Sequence, residues 1–258
     1  MRSIAASSLM LTLAFALPAT ASAQPCARVT CSHHGECVPE GDEAFCFCDE
    51  GYQATELRCV RGPNPRQSDT ASSSGARIVE LALAQDGLDL ASVGAGRTEA
   101  PGPLSRWVHP GGLWCSDFVS WVFRAAGVPF SGGYGGGWLL TNNVAIRRWF
   151  ERRHAWVDHD SPEWESFRPR QGDYIRIRTS EWGHSAIVRY VEGSTLFTVE
   201  GNVSGHVRAT RYPHWREHAR IDGFGMTTMA GARAEAARLT RPAATAMPRR
   251  LRARDMGR

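Results

Sequence analysis

The sequence predicts an α+β protein in two unequal parts, a small disulfide-rich module followed by a larger mixed domain. Three observations carry that expectation. Six of the seven cysteines fall between Cys26 and Cys59. An amphipathic stretch, "CSDFVSWVFRAAG", begins with the seventh, Cys115. Segments of strand character, "QGDYIRIR", "WGHSAIVRYV" and "TLFTVEGN", then follow one another across short turns. Helix-period and strand-period stretches in separate runs, rather than in strict alternation, indicate the α+β class.

The N-terminus comes first. Met1-Arg2 is a short basic start, Ile4 to Leu17 an apolar run, and Ala21-Ser22-Ala23 a small-residue cleavage signature. Residues 1–23 therefore read as a secretory signal peptide, with a mature chain starting at Gln24. The run is too short to span a bilayer comfortably, and no later segment is long and apolar enough to cross one. The expected location is secreted or periplasmic, where disulfides persist. The net charge of +4 is modest, and every basic residue is arginine. No basic run interleaved with aromatics appears in the body of the chain, so nucleic acid is not an expected partner.

Residues 24–60 hold the module. Its spacing is C-x4-C-x5-C-x8-C-x-C-x10-C. So short a segment cannot bury enough apolar surface to fold unaided and needs staples. Zinc binding is the other reading, with His33 and His34 nearby, but export and an even count favour disulfides. Six cysteines allow fifteen pairings, and spacing does not choose among them. Gly35 two residues before Cys37, the Cys46-x-Cys48 pair and "CDEGYQ" resemble an EGF-like module. That resemblance implies bridges Cys26–Cys37, Cys31–Cys46 and Cys48–Cys59 and two small β-hairpins. "SAQP" precedes Cys26 where calcium-binding members carry acidic and amide residues, so no calcium site is implied. A wall or surface ligand is a candidate partner for the module. Residues 61–75, rich in Pro, Gly, Ser and Asn, read as a flexible linker.

The second domain is expected over 76–227. "ARIVELALAQDG" reads as a helix stopped by Gly87. A Gly- and Pro-rich loop leads to the helix that begins at Cys115. Phe118, Val119, Val122, Phe123 and Ala126 form its apolar face, Gly127 suits its end and Pro129 blocks continuation. Cys115 thus lies in the first turn, where unpaired amides and the positive dipole end favour an anion such as a thiolate. Ser116 and Asp117 suit a helix start as caps. Free cysteine is also a common buried small hydrophobe, so the position alone does not decide.

A nucleophilic cysteine needs a base, and the base an orienting group. The three strand segments read as an antiparallel meander with short turns. His184 starts one strand, and Glu200 and Asn202 end the next, so a hairpin sets them side by side. Taken singly, His184 reads equally as a strand-edge histidine, and Glu200 and Asn202 as turn formers. His154, Asp158, His159 and Asp160 lack a strict ligand motif, and no metal or cofactor is expected.

Together, "WCSDFVSWVFRAAGVP", "GDYIRI", "GHSAIVRYVEG", "TVEGNVSG" and "RIDGFG" resemble the CHAP domain. This is a family of cysteine, histidine-dependent amidohydrolases and peptidases in the papain-like NlpC/P60 group. The resemblance implies a helix bearing Cys115 packed on an antiparallel sheet bearing His184. It implies Cys115 as nucleophile, His184 as base, Glu200 as orienter and Asn202 as a further polar partner. The Cys115 amide would supply part of the oxyanion hole, with His109 a weak candidate for more.

The implied substrate is bacterial peptidoglycan, cut at the muramoyl–L-alanine amide or in a peptide. Two other readings remain: an inactive wall-binding or adhesion protein, and a thiol transpeptidase or transamidase on the same fold. In "SGGYGGGWLLTN", Tyr134 and Trp138 are candidates to line a cleft. The tail, 228–258, is Ala- and Arg-rich and expected to be disordered. The protein is expected to be a monomer.

Overall fold

The computed structural model describes residues 24–62, 74–97, 101–108, 112–179 and 182–228. The expected signal peptide, most of the linker, His109 and nearly all of the tail lie outside the described residues.

The module consists of two antiparallel hairpins, β1 (Gly35–Glu40) with β2 (Glu43–Cys48) and β3 (Tyr52–Thr55) with β4 (Arg58–Arg61). Its bridges are Cys26–Cys37, Cys31–Cys46 and Cys48–Cys59, the pairing that the EGF-like resemblance implied. The Cys31–Cys46 bridge closes a sequence separation of 15 residues. Constraining a loop of that length in the unfolded chain stabilises the fold by about 3 kcal/mol. Gly35 has to be glycine: an added Cβ would meet the Phe47 carbonyl oxygen at 2.5 Å and the Cys59 sulfur at 2.8 Å.

The second part is a helix packed on a six-stranded antiparallel sheet. After α1 (Ser74–Leu83) come α2 (Cys115–Ala125) and α3 (Asn143–Glu151). The strands are β5 (Trp156–Asp158), β6 (Tyr174–Arg178), β7 (Gly183–Glu192), β8 (Thr195–Val203), β9 (His206–Tyr212) and β10 (Ile221–Gly225). Their order is β5-β10-β6-β7-β8-β9, antiparallel throughout. The expected meander is its centre, β6-β7-β8. The terminal "RIDGFG" supplies β10, which slots between β5 and β6 rather than extending the meander.

Alternation along β7 and β8 divides two apolar clusters. Ile187 and Val199 join a cluster with Phe118, Val119 and Val122 of α2. Ala186, Val188 and Leu196 join another with Trp164, Trp215 and Phe224. This two-sided burial explains why "SAIV" reads as a continuous apolar run rather than strict alternation. Each fully buried large side chain on α2 stabilises the fold by roughly 1.5–3 kcal/mol of transfer free energy.

The module shares the first of these clusters. Val38, Phe45 and Phe47 are buried with the residues of α2 and α3. Cys48 N–H donates to the Gly132 carbonyl at 2.9 Å, and Ala54 N–H to that of Gly133 at 2.7 Å. The Arg152 guanidinium of the residue just after α3 lies 4.1 Å from the centre of the Phe47 ring.

Candidate active site

Cys115 is the first residue of α2 and is buried; it is the free cysteine among the described residues. Trp114 is the N-cap and offers no side-chain cap. The expectation that Ser116 and Asp117 are caps is therefore not met. Ser116 Oγ instead lies 2.9 Å from Ser185 Oγ, which lies 3.0 Å from the Tyr174 hydroxyl. This hydroxyl chain ties the first turn of α2 to β6 and β7. Without a side-chain cap from Trp114, the Cys115 and Ser116 amides are left for a ligand, as at an anion site, while the Asp117 amide is bonded by its own carboxyl.

His184 is the second residue of β7, and its side chain is mostly buried. Its Nε2 lies 2.9 Å from Glu200 Oε2, and Cys115 is within hydrogen-bonding reach of the ring. With Nε2 engaged by Glu200, Nδ1 is the nitrogen that remains for the sulfur. The β7–β8 register explains the choice of partner. Ala186 lies opposite Glu200, so His184 reaches Glu200 diagonally. Regular pairing continued from there would bring His184 opposite Asn202. The β7–β8 pairing ends at Ala186 and Glu200, short of that position; on the other edge of β8 the pairing with β9 shifts register between Glu200 and Val203, where Asn202 takes the left-handed conformation with φ 62°. The structure thus brings Cys115, His184 and Glu200 together, while Asn202 makes no hydrogen bond to any of them.

Glu200 is almost fully buried and accepts two more hydrogen bonds, from Thr198 Oγ1 at 2.5 Å and the Tyr212 hydroxyl at 2.8 Å. Sequence reasoning missed both donors. Thr198 was within reach of it, since residues two apart on a strand share a face. Tyr212 was not, because its strand pairing was unread. Burial and the Glu200 charge both push the Tyr212 hydroxyl up, so it stays a donor. Burial alone would pull the His184 imidazole down. Its hydrogen bonds to Cys115 and Glu200, and their charges, outweigh this and raise it to about 10. The arrangement therefore favours the protonated ring between sulfur and carboxylate.

Cys115 opens onto a cleft of about 810 Å³. Tyr134 of the glycine-rich loop lines it, as do Trp107, Leu113 and Trp182. Trp138 does not: it is buried and packs edge-on against Trp107 at 5.2 Å. Asp158 forms an ion pair with Arg147 at 2.7 Å, and His159 with Asp160 at 3.0 Å.

Comparison with known families settles the relationship of the domain holding this constellation. The CHAP domain pattern matches residues 107–202, and the EGF-like domain pattern matches residues 26–53. The chain contains a CHAP domain. Cys115, His184 and Glu200 all lie within its matched span, and the six-stranded sheet continues past that span through β9 and β10. Two solved structures are distantly similar. One is the crystal structure of Ly7917, 19% identical over 60% of this chain and 62% of that one, with a TM-score of 0.36. The other is the crystal structure of Ly7917 with the hydrolyzing product of MDP, 17% identical over 58% and 61%, with a TM-score of 0.34. The chain spans less than two thirds of those chains. No curated protein matches it.

Proposed function

We propose that this protein is a secreted cysteine hydrolase that cleaves an amide bond in bacterial peptidoglycan. The observation that carries the reading is the contact chain Cys115–His184–Glu200 in a CHAP domain, with Cys115 opening onto a cleft. The Cys115 thiolate attacks the amide carbonyl carbon, and the carbonyl oxygen takes the negative charge. First-turn amides of α2, Cys115 N–H foremost, stabilise that charge. The C–N bond breaks as the His184 imidazolium gives its proton to the leaving amine, which leaves a thioester on Cys115. Neutral His184 then takes a proton from water, and the hydroxide so formed displaces the thiolate. Glu200 holds the ring in position throughout and offsets its charge, and Thr198 and Tyr212 hold Glu200.

The export reading of residues 1–23 and a module held by three disulfides fit a wall substrate outside the cytoplasm. No helix among the described residues is long and apolar enough to cross a membrane. The test is digestion of purified peptidoglycan with product analysis by mass spectrometry. New termini at a muramoyl–L-alanine or peptide amide are expected and would name the bond. Intact peptidoglycan after prolonged digestion would refute the reading. Products joined to an added amine would favour the transpeptidase alternative.

A further inference from the structure

The cleft over Cys115 is not built by the CHAP domain alone. The β1–β2 hairpin of the module forms one wall, through Glu40, Glu43 and Phe45, and Glu56 adds to it from the turn between β3 and β4. The wall is fixed in place. Phe45 packs edge-on against Tyr134 at 5.3 Å, and the Tyr134 hydroxyl donates to the Glu56 carbonyl at 3.0 Å. Glu40 accepts hydrogen bonds from the amide of Asn143 at 3.1 Å and from that of Gly183, next to His184, at 3.3 Å.

Asp117 faces the same cleft from α2, two residues after Cys115. It is only 3% exposed. Its carboxyl bonds its own backbone amide and makes no hydrogen bond to any other residue among those described. A buried carboxyl bonded only to its own amide is under-satisfied, and one that faces a cleft has acceptor capacity left for a ligand. The neighbouring charge that acts on Asp117 is that of Glu40, a second carboxyl. Four carboxyl groups therefore line the cleft (Glu40, Glu43, Glu56 and Asp117) against one guanidinium, that of Arg106. Burial, with the Glu40 charge, holds the Asp117 carboxyl well above the usual carboxylate range, and an ammonium group supplies both the donors and the opposite charge that favour its anion.

We propose that the disulfide module is the substrate-reading wall of this cleft, and that Asp117 and Glu40, with Glu43 and Glu56 at the rim, bind a positively charged amino group of the substrate beside the amide that Cys115 attacks. The proposal deepens the hydrolase reading and rests on it for the word substrate. Asp117 and Glu40 act here as binding groups for the amine.

The test measures binding rather than turnover, so it does not depend on catalysis. Calorimetric titration of the Cys115→Ala protein at pH 8 would use a muropeptide with a free side-chain amine and the same muropeptide N-acetylated. The amine-bearing form should bind about tenfold more tightly or better, since hydrogen bonds to charged groups are the strong ones. Adding Asp117→Asn should reduce that preference to about twofold or less. Should Asp117→Asn fail to fold, the exposed rim pair Glu43→Gln/Glu56→Gln carries the test, with a loss of preference of about threefold and of its salt sensitivity. Equal affinity for the two peptides, no binding of either, or a preference untouched by the rim variant would each overturn the proposal. The two readings fail separately. Amine-selective binding in Cys115→Ala without turnover by the wild type would sink only the hydrolase reading. Turnover without amine selectivity would sink only this one.

Discussion

At the scale of single residues, the account rests on one buried carboxylate. Glu200 accepts from His184, Thr198 and Tyr212, so its charge is compensated and its geometry fixed. That charge helps hold the His184 imidazole up at about 10. Replacing Glu200 by Gln keeps the shape and removes the charge. The His184 value then falls, because nothing but the sulfur still favours the imidazolium. The expected result is kcat lower by about 10²-fold or more, as for other triad orienters. The alkaline limb of the rate profile, expected near pH 10 in the wild type, should move to lower pH. A pH–rate profile of both proteins on peptidoglycan checks this, and an unmoved limb would contradict it. Cys115, His184 and Glu200 were legible in the sequence because each belongs to a short motif. Asn202 was read beside them for the same reason, yet it serves a β-bulge. A bulge is set by how two strands pair, which no local motif reports.

At the scale of elements, the site depends on how closely β8 approaches α2. Gly201 lies against the Phe118 side chain, and an added Cβ would sit 2.5 Å from its Cβ and 2.7 Å from its Cγ. Phe118 is fully buried and cannot step aside. Gly201→Ala should therefore destabilise by about 1–3 kcal/mol through overpacking. It should also push Glu200 away from His184, so activity falls by more than the loss of folded protein. Chemical denaturation and specific activity per folded molecule measure the two effects separately. Helix α2 was legible because its apolar face, its Gly127 stop and Pro129 agree. The central strands were legible from alternation and short turns. Helix α3 was not read, although Asn142 caps it by accepting from the Ala145 amide and Ala145, Ile146, Trp149 and Phe150 are buried at helical spacing. Its arginines mask the pattern. Arg147 pairs with Glu151 within the helix and with Asp158 and Asp222 beyond it, the last two being contacts that only the fold creates.

At the scale of the whole molecule, the module and the CHAP domain form one body around the cleft. The disulfide pairing was legible through the EGF-like pattern. The docking was not, because it joins residues 103 and 143 positions apart in the Glu40–Asn143 and Glu40–Gly183 bonds. Burial raises the Glu40 carboxyl from its usual 4.5 to about 7, against the two amides and the Arg176 charge that favour the anion; the Glu43 carboxyl adds to the rise, and Asp117 also faces it. A raised carboxyl contributes stability that is fully present below pH 4.5 and lost as pH rises through about 7. Calorimetry should therefore show one joint transition for module and domain, with a Glu40 contribution that favours pH 5 over pH 8. Glu40→Gln should remove that contribution, and an unchanged difference in Tm between the two pH values would contradict it. The central claim is narrower: amide cleavage passes through a thioester on Cys115. Its most direct test is acid quenching during turnover of soluble muropeptides, followed by mass mapping of tryptic peptide 107–124, which contains Cys115. The account predicts that this peptide carries the mass of an acyl fragment during turnover, and that Cys115→Ser forms neither adduct nor product. Undiminished product formation by Cys115→Ser, with the wild-type peptide unmodified throughout, would contradict it.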